Sequence, residues 1–274
     1  MQNRPRSLTR SERDPPPTRM TGFLNSQASR EYIADLAELL RHLLKKQDPM
    51  PADSVTDCEP NESNRGRHDP VFTGGAVVGL LLTDPAAPPP SRTKDIHIVL
   101  EIAGDAEFTA MGHLLRQAGF TQNSLDDLHL CAWHWRGVRV DFLPLQPTPM
   151  MGCNRWFPDV IAEAKRIEVS TGRYAWCASA PCFIATKLEA FVSRGKGNFL
   201  MSKDIEDILA VIDGREELLS EISNASSEVR GFLKSAFRDL LIDRHFMECL
   251  PQIIPDDARE LILTNRLRAV ASLV

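Results

Sequence analysis

The sequence FTGGAVVGLLLTDPAAPPPSRTKDIHIVLEI, residues 72–102, contains the features that organise the rest of the chain. It opens with Gly74 and Gly75, which predict a tight turn at the start of a short apolar helix, because glycine tolerates turn conformations at little cost. It ends in DIHIVLEI, which alternates and is rich in Ile and Val, so it predicts a β-strand. Asp95 and His97 are two residues apart, and their side chains therefore point to the same face of that strand.

The segments nearest to this stretch predict a small sheet with helices. SREYIADLAELLRHLLKK has one apolar helical face, and Ser29 is predicted to cap its start. DAEFTAMGHLLRQAGF predicts a helix that ends at Gly119. LDDLHLCAWHW and VRVDFLPL predict strands joined by a hairpin at Arg136 and Gly137. Alternation in the second of these strands places Asp141 on the face opposite its apolar neighbours.

The second half of the chain differs in character. RIEVSTGRYAWCASA predicts a strand pair, and from Pro181 the pattern is helical almost to the C-terminus. The expected fold class is therefore α+β, with a small mixed sheet followed by a mostly helical C-terminal domain. The sequence predicts four parts: a disordered tail over 1–27, an N-terminal helix and polar linker over 28–70, a core over 71–150, and the helical domain over 151–274.

Composition restricts the function classes. The 274 residues carry 37 acidic and 32 basic side chains, and the net charge of −5 gives no global field that would attract nucleic acid. The six cysteines show no Cys-x-x-Cys pair, and the N-terminus has no apolar region of a secretory signal, so a cytoplasmic location is expected. No apolar run has the length of a membrane span.

The chemistry that these residues suggest is nucleotidyl transfer. That reaction needs backbone donors for a triphosphate and a divalent metal held by carboxylates. A glycine pair at a helix start supplies the donors. The acids would come from adjacent strands that present one face, which is the arrangement predicted for Asp95, position 97 and Asp141.

This ordered set resembles the nucleotidyltransferase (polymerase-beta-like) superfamily. TKDIHIVLE is similar to the family's TKDIDL segment, and APCFIATKLEAFVSRGKGNFLMSKDIEDILAVID is similar to a segment of AbiEii-type enzymes. Those enzymes are nucleotidyltransferase toxins of bacterial type IV toxin–antitoxin systems. The resemblance covers residues 72–213, about half of the chain, and implies a nucleotidyltransferase-like core.

The resemblance implies roles for individual residues. Gly74 and Gly75 would face the triphosphate, with Lys94 beside them. Asp95 would be a metal ligand and Asp141 the third acid. Two further residues come from the helical segment: Lys187 would lie near the nucleotide phosphates, and Asp204 matches the acid of a Lys/Arg-Asp-x-x-Asp motif, with Asp207 one turn on.

His97 departs from the family pattern, which has a carboxylate at this position. Mg²⁺ prefers oxygen ligands, whereas imidazole suits Mn²⁺ or Zn²⁺ better. Three consequences stay open at this point: one bound metal instead of two, preference for another metal, and weak catalysis. The predicted metal ligands are therefore Asp95, His97 and Asp141, with Mg²⁺ or Mn²⁺ as the ion and a nucleoside triphosphate as substrate.

Structural interpretations stand beside these functional ones. The glycine pair can be only a turn, Asp141 can pair with Arg139 or Arg136, and Lys187 can be a solvated helix residue. The tryptophans are expected in the core or at an interface. Arg194, Lys196 and Lys203 form the best local group of cations.

The function predicted from the sequence is metal-dependent transfer of a nucleotide to an acceptor hydroxyl, with RNA as a possible acceptor and an antitoxin as a possible partner. Two rivals remain. One is a protein of the same fold that has lost catalysis through His97 and binds a nucleotide or a partner. The other is a transferase that modifies a small molecule.

Overall fold

The computed structural model of the chain describes residues 24–44, 65–67, 69–102, 104–122, 131–146, 153–194 and 197–273. Most of the predicted tail and of the predicted polar linker, together with Lys196, lies outside these residues. None of the helices among them is both long enough and apolar enough to cross a lipid bilayer.

Six strands form one mixed sheet, which confirms the α+β class. The strands are β1 (Val71–Thr73), β2 (Asp95–Leu100), β3 (Ala132–Trp135), β4 (Val138–Pro144), β5 (Lys165–Ser170) and β6 (Arg173–Cys177). Their order across the sheet is β3-β4-β2-β1-β6-β5. β2 pairs parallel with β4 and antiparallel with β1, and β1 pairs parallel with β6. The predicted boundary at residue 151 thus falls between strands of a single sheet.

Ten helices surround or follow the sheet in the described part of the chain. They are α1 (Ser26–Leu44), α2 (Val78–Leu81), α3 (Asp105–Gln117), α4 (Phe157–Ala162), α5 (Ala180–Arg194), α6 (Lys203–Gly214), α7 (Leu218–Asn224), α8 (Ser227–Ile242), α9 (Arg244–Ile253) and α10 (Asp257–Ala271). From α5 onward the described residues are helices and their connections, as the sequence pattern predicts.

Helix α1 packs against β5 and β6 through its buried apolar face. The prediction that Ser29 caps this helix is wrong: Ser29 is buried inside the helix. The side chain of Asn25 caps it instead, because its Oδ1 accepts a hydrogen bond from the Ala28 amide at 2.9 Å. The Tyr32 hydroxyl donates to the carbonyl of Trp135, which fastens the helix to the far edge of the sheet.

The predicted hairpin at Arg136 and Gly137 is confirmed. Both residues have positive φ, 48° and 80°, as the turns that suit a two-residue hairpin require. The four tryptophans are buried, in agreement with their predicted place in the core: Trp133, Trp135, Trp156 and Trp176. The sequence interpretation does not single out α4, and the individual helical segments that it recognises after Pro181 do not include α9.

Candidate functional site

Asp95, His97 and Asp141 lie together on one face of the sheet. Asp95 and His97 come from β2, and Asp141 of β4 is paired directly opposite His97 in the parallel register. His97 Nε2 is 3.4 Å from Asp95 Oδ2 and 3.6 Å from Asp141 Oδ2. One ligand atom from each residue lies within 4.8 Å of the others, so the group could hold a metal ion. We call these three residues the triad.

Thr93 orients the first acid of the triad. Its hydroxyl donates to Asp95 Oδ1 at 3.2 Å, and its backbone is fixed by paired hydrogen bonds with Leu24. The hydrogen bond with His97 lowers the pKa of the Asp95 carboxyl well below its ordinary value, although burial acts in the opposite direction. Asp95 is therefore ionised across the pH range in which a metal site would operate.

Arg139 binds the second acid of the triad from the same face of β4. Its Nε donates to Asp141 Oδ1 at 2.7 Å and its Nη2 to Oδ2 at 3.1 Å, a bidentate pair. The pairing that the sequence left open as a structural alternative is therefore present. It coexists with the triad, because Oδ2 of the same carboxylate faces His97.

The glycine pair lies against the triad. Gly74 has φ 74° and ψ −168°, a conformation that is essentially restricted to glycine. A Cβ on Gly74 would lie 2.7 Å from His97 Nδ1, so the imidazole occupies the space that a side chain would need. A Cβ on Gly75 would lie 2.9 Å from Thr93 Oγ1 and 3.5 Å from Asp207 Oδ2. The turn therefore contacts both the triad and α6.

Lys187 on α5 is buried between two carboxylates of α6. Its Nζ donates to Asp204 Oδ1 at 3.0 Å and to Asp207 Oδ2 at 2.8 Å. Burial lowers the pKa of Lys187, but the charges of Asp207 and Asp204 outweigh it, and the pKa is raised overall. The ammonium thus stays charged, and its positive charge also helps to lower the pKa of Asp95.

The other predicted cations are placed less centrally. Lys94 is exposed at the start of β2 and is outside the set of described residues that line the cavity. Arg194 pairs with Asp204 at 3.1 Å, and Lys203 pairs with Asp207 at 2.6 Å. The predicted cationic group is therefore neutralised by neighbouring acids where the structure describes it.

A cavity of about 980 Å³ connects these groups. The sheet supplies the triad on one side, and α5 and α6 supply Lys187 with its acids on the other. The charged lining residues that the structure describes are four bases and five acids: Arg139, Lys187, Arg194, Lys203, Asp95, Asp141, Glu189, Asp204 and Asp207. The described lining is thus rich in charged side chains whose charges nearly balance, and apolar side chains such as Phe157 and Met201 complete it.

Two lining residues, Thr93 and Asn154, have roles that the sequence interpretation did not assign, and a third, Arg139, appeared there only as a structural alternative. Thr93 orients Asp95, and Arg139 holds Asp141. Asn154 donates to the carbonyl of Thr186 at 2.9 Å and accepts from the Trp156 amide at 3.1 Å, which connects residues 154–156 to α5 beside Lys187. Only Arg139 carries a sequence signal, because it precedes Asp141 by two positions on one strand.

Comparison with known proteins does not assign the chain to a family. No protein-family model matches the sequence, and no curated protein matches it. The resemblance to nucleotidyltransferases therefore remains a prediction from the motifs.

Proposed function

We propose that this chain is a metal-dependent nucleotidyltransferase with a nucleotidyltransferase-like core and a following helical domain, of the AbiEii-type class that its motifs resemble. The observation that supports this most is the meeting of the triad, the Gly74–Gly75 turn and Lys187 at one cavity. From Gly74 to Lys187 these groups span more than a hundred residues of sequence, yet they border the same space.

Each group has a part in the proposed reaction. The triad would hold the metal, which supplies charge stabilisation for the reacting phosphates. The turn offers backbone N–H groups without a side chain in the way. Lys187 keeps a positive charge on the opposite wall of the cavity.

The proposed transfer is a displacement at phosphorus. An acceptor hydroxyl oxygen bonds to the α-phosphorus of a nucleoside triphosphate, while the bond from that phosphorus to the oxygen bridging the β-phosphate breaks. Pyrophosphate leaves with the bond's electron pair, and the hydroxyl proton is released to water.

The acceptor can be RNA or a small molecule, and the charge of the lining does not favour RNA. Phosphate binding by a nucleic-acid surface needs unpaired lysines and arginines. Arg194 and Lys203, however, both face carboxylates. An antitoxin partner and a bacterial source rest on the resemblance alone, whereas the cytoplasmic location rests on the cysteine pattern and the N-terminal composition.

The proposal is tested by nucleotide transfer. The purified chain is incubated with each labelled nucleoside triphosphate, Mg²⁺ or Mn²⁺, and total bacterial RNA, and the products are separated. We expect label on RNA, or on a small acceptor in a cell extract, with release of pyrophosphate. Asp95→Asn should lower the rate by about 100-fold or more, the order found when charge stabilisation in an active site is removed.

Asp105→Asn is the matched control. Asp105 is an exposed acid in the first turn of α3, so the same charge change there should leave the rate unaltered. Absence of transfer with every nucleotide, metal and acceptor would overturn the proposal. An unchanged transfer rate in Asp95→Asn would show that the triad does not take part in the reaction.

The bidentate pair of Arg139 and Asp141 favours one alternative. The guanidinium of Arg139 offsets the negative charge of Asp141, which weakens its attraction for a cation, as expected of a protein that retains the fold and binds a nucleotide or a partner without catalysis. Metal-dependent binding of a nucleoside triphosphate without turnover would support this function instead.

A further inference from the structure

The triad has the spacing of a single metal site that includes a nitrogen ligand. Ligands about 2.1 Å from a tetrahedral metal lie about 3.4 Å from each other. The separations from His97 Nε2 to the two carboxylate oxygens, 3.4 and 3.6 Å, agree with that value. A modest movement of the side chains would therefore let all three residues bind one ion.

The imidazole is held in the orientation that ligation requires. Its Nδ1 side faces Gly74, where an added Cβ would be only 2.7 Å away. Its Nε2 faces both carboxylates. Gly74 thus provides room for a ring at position 97, and Nε2 is the atom directed at the metal position.

The charge around the triad is too small for two divalent ions. Asp95 and Asp141 supply two negative charges, and Arg139 offsets one of them through its bidentate pair. His97 adds a neutral ligand when it binds a metal. Without a bound nucleotide, a second divalent ion at this site would meet net positive charge, and repulsion inside a partly buried site is strong.

We infer that the triad is a site for one first-row transition-metal ion, such as Mn²⁺, Co²⁺ or Zn²⁺, bound through His97 Nε2, Asp95 and Asp141, and that it discriminates against Mg²⁺. Mg²⁺ favours octahedral oxygen ligands, whereas one imidazole with two carboxylates suits the transition metals. The inference rests on the proposed function, which places a metal ion at the triad. It excludes a site that holds two Mg²⁺ ions.

Metal binding tests the inference without an activity assay. Co²⁺ is titrated into the full chain and followed by calorimetry and by its visible absorption. Bound Mn²⁺ is counted by electron paramagnetic resonance, with a pulsed measurement for coupling to an imidazole nitrogen. We expect one ion per chain, a nitrogen coupling, and little displacement by about a 100-fold excess of Mg²⁺.

Two substitutions at position 97 separate the ligand from the fold. His97→Ala should weaken Co²⁺ binding by about 100-fold, since even the partners of a ligand typically contribute 10- to 100-fold. His97→Asp should remove the nitrogen coupling and raise the affinity for Mg²⁺ relative to Co²⁺. His113→Ala, which removes an exposed histidine of α3, should leave both metals unaffected.

Several results would overturn the inference: two ions per chain, equal competition by Mg²⁺, unchanged Co²⁺ affinity in His97→Ala, or no binding of any of these metals. Circular dichroism of each variant shows whether it is folded. If His97→Ala does not fold, the loss of nitrogen coupling and the change in metal preference in His97→Asp test the inference instead. The outcomes also separate the two proposals. Transfer supported by Mg²⁺ alone would leave the function standing and remove this inference, and Co²⁺ binding without transfer would do the reverse.

Discussion

At the scale of single residues, Gly74 and His97 depend on each other. Gly74 has a backbone conformation that other residues avoid, and the ring of His97 fills the space where a side chain would begin. Two independent physical reasons, backbone strain and a steric clash, therefore require glycine at this position.

Gly74→Ala should destabilise the chain by about 2 kcal/mol, because a non-glycine residue in this region of conformation costs about 1–3 kcal/mol. It should also displace His97 and weaken metal binding. Urea denaturation measures the first effect and Co²⁺ titration the second. Gly231→Ala is the control, since its Cβ would enter open space within α8 and alanine is the better helix former.

A double substitution gives a sharper test. If the clash with the imidazole contributes, adding His97→Ala to Gly74→Ala should recover part of the lost stability. Purely additive effects of the two substitutions would show that backbone strain acts alone.

The sequence predicted much of the site at this scale. Alternation along β2 and β4 depends only on the local period of a strand, so the common face of Asp95, His97 and Asp141 could be foreseen. The contact between Gly74 and His97 could not, because it depends on the pairing of β1 with β2. The ion pair between Arg139 and Asp141 was predicted only as a structural alternative to a metal-binding role of Asp141.

At the scale of elements, α5 and α6 are joined by a buried ion pair. Lys187 is 8% exposed, and Asp207 on the facing helix is 2% exposed. Charges so far from water are costly unless they are paired, and removal of one partner typically costs 3–5 kcal/mol. Because the pKa of Lys187 is raised, its stabilising charge is present at neutral pH and is lost only as the pH rises through that raised value.

Lys187→Met should therefore lower the free energy of unfolding by about 3 kcal/mol, the lower end of that range, because Arg194 and Lys203 still neutralise the two acids. Lys203→Met is the matched control. It removes the same charge from Asp207, but its side chain is 41% exposed, so the loss should stay below about 1 kcal/mol. Equal losses in the two variants would contradict a special role of burial.

Helices and strands with a clear hydrophobic period were predictable from the sequence, whereas helices α4 and α9 were not. Helix α4 has only six residues, too few for a period to appear. Helix α9 contains Pro251 near its end, which interrupts a helical pattern, although Asp243 caps its start by accepting from the Phe246 amide. Tertiary packing of Phe246 and Leu250 fixes α9, and that packing is absent from local sequence.

At the scale of the whole molecule, one side chain of the last helix links distant segments of the described fold. Arg259 of α10 donates to Asp84, which follows α2, at 2.6 Å, and to Asp213 at the end of α6 at 2.9 Å. Asp213 is almost fully buried. The C-terminal helices are thus fastened to the segment that leads into β2.

Arg259→Leu should cost about 3–5 kcal/mol, because it leaves the buried Asp213 carboxylate without this partner. Arg244→Leu removes an exposed pair with Glu248 and should cost less than about 0.5 kcal/mol. Urea unfolding followed by tryptophan fluorescence and by circular dichroism should give one shared transition, shifted to lower urea. Two separate transitions would show that the helical part unfolds independently of the sheet.

The pairing of β1 with β6 was not predictable from the sequence. In this parallel pairing Val71 lies opposite Trp176. No local sequence pattern specifies which distant strand pairs with the free side of β1. The sequence therefore indicated the strands and the mixed sheet, and the structure supplies the order.

That same pairing has a consequence for how the protein is made. At about 5–20 residues per second, the ribosome needs roughly 5–20 s to pass from β1 to β6. Both acids of the triad are synthesised within this interval, while one edge of β1 still lacks its neighbour. Lys187 and its helix emerge later still, so a ribosome-bound chain cannot assemble the complete cavity before α6 has also been synthesised.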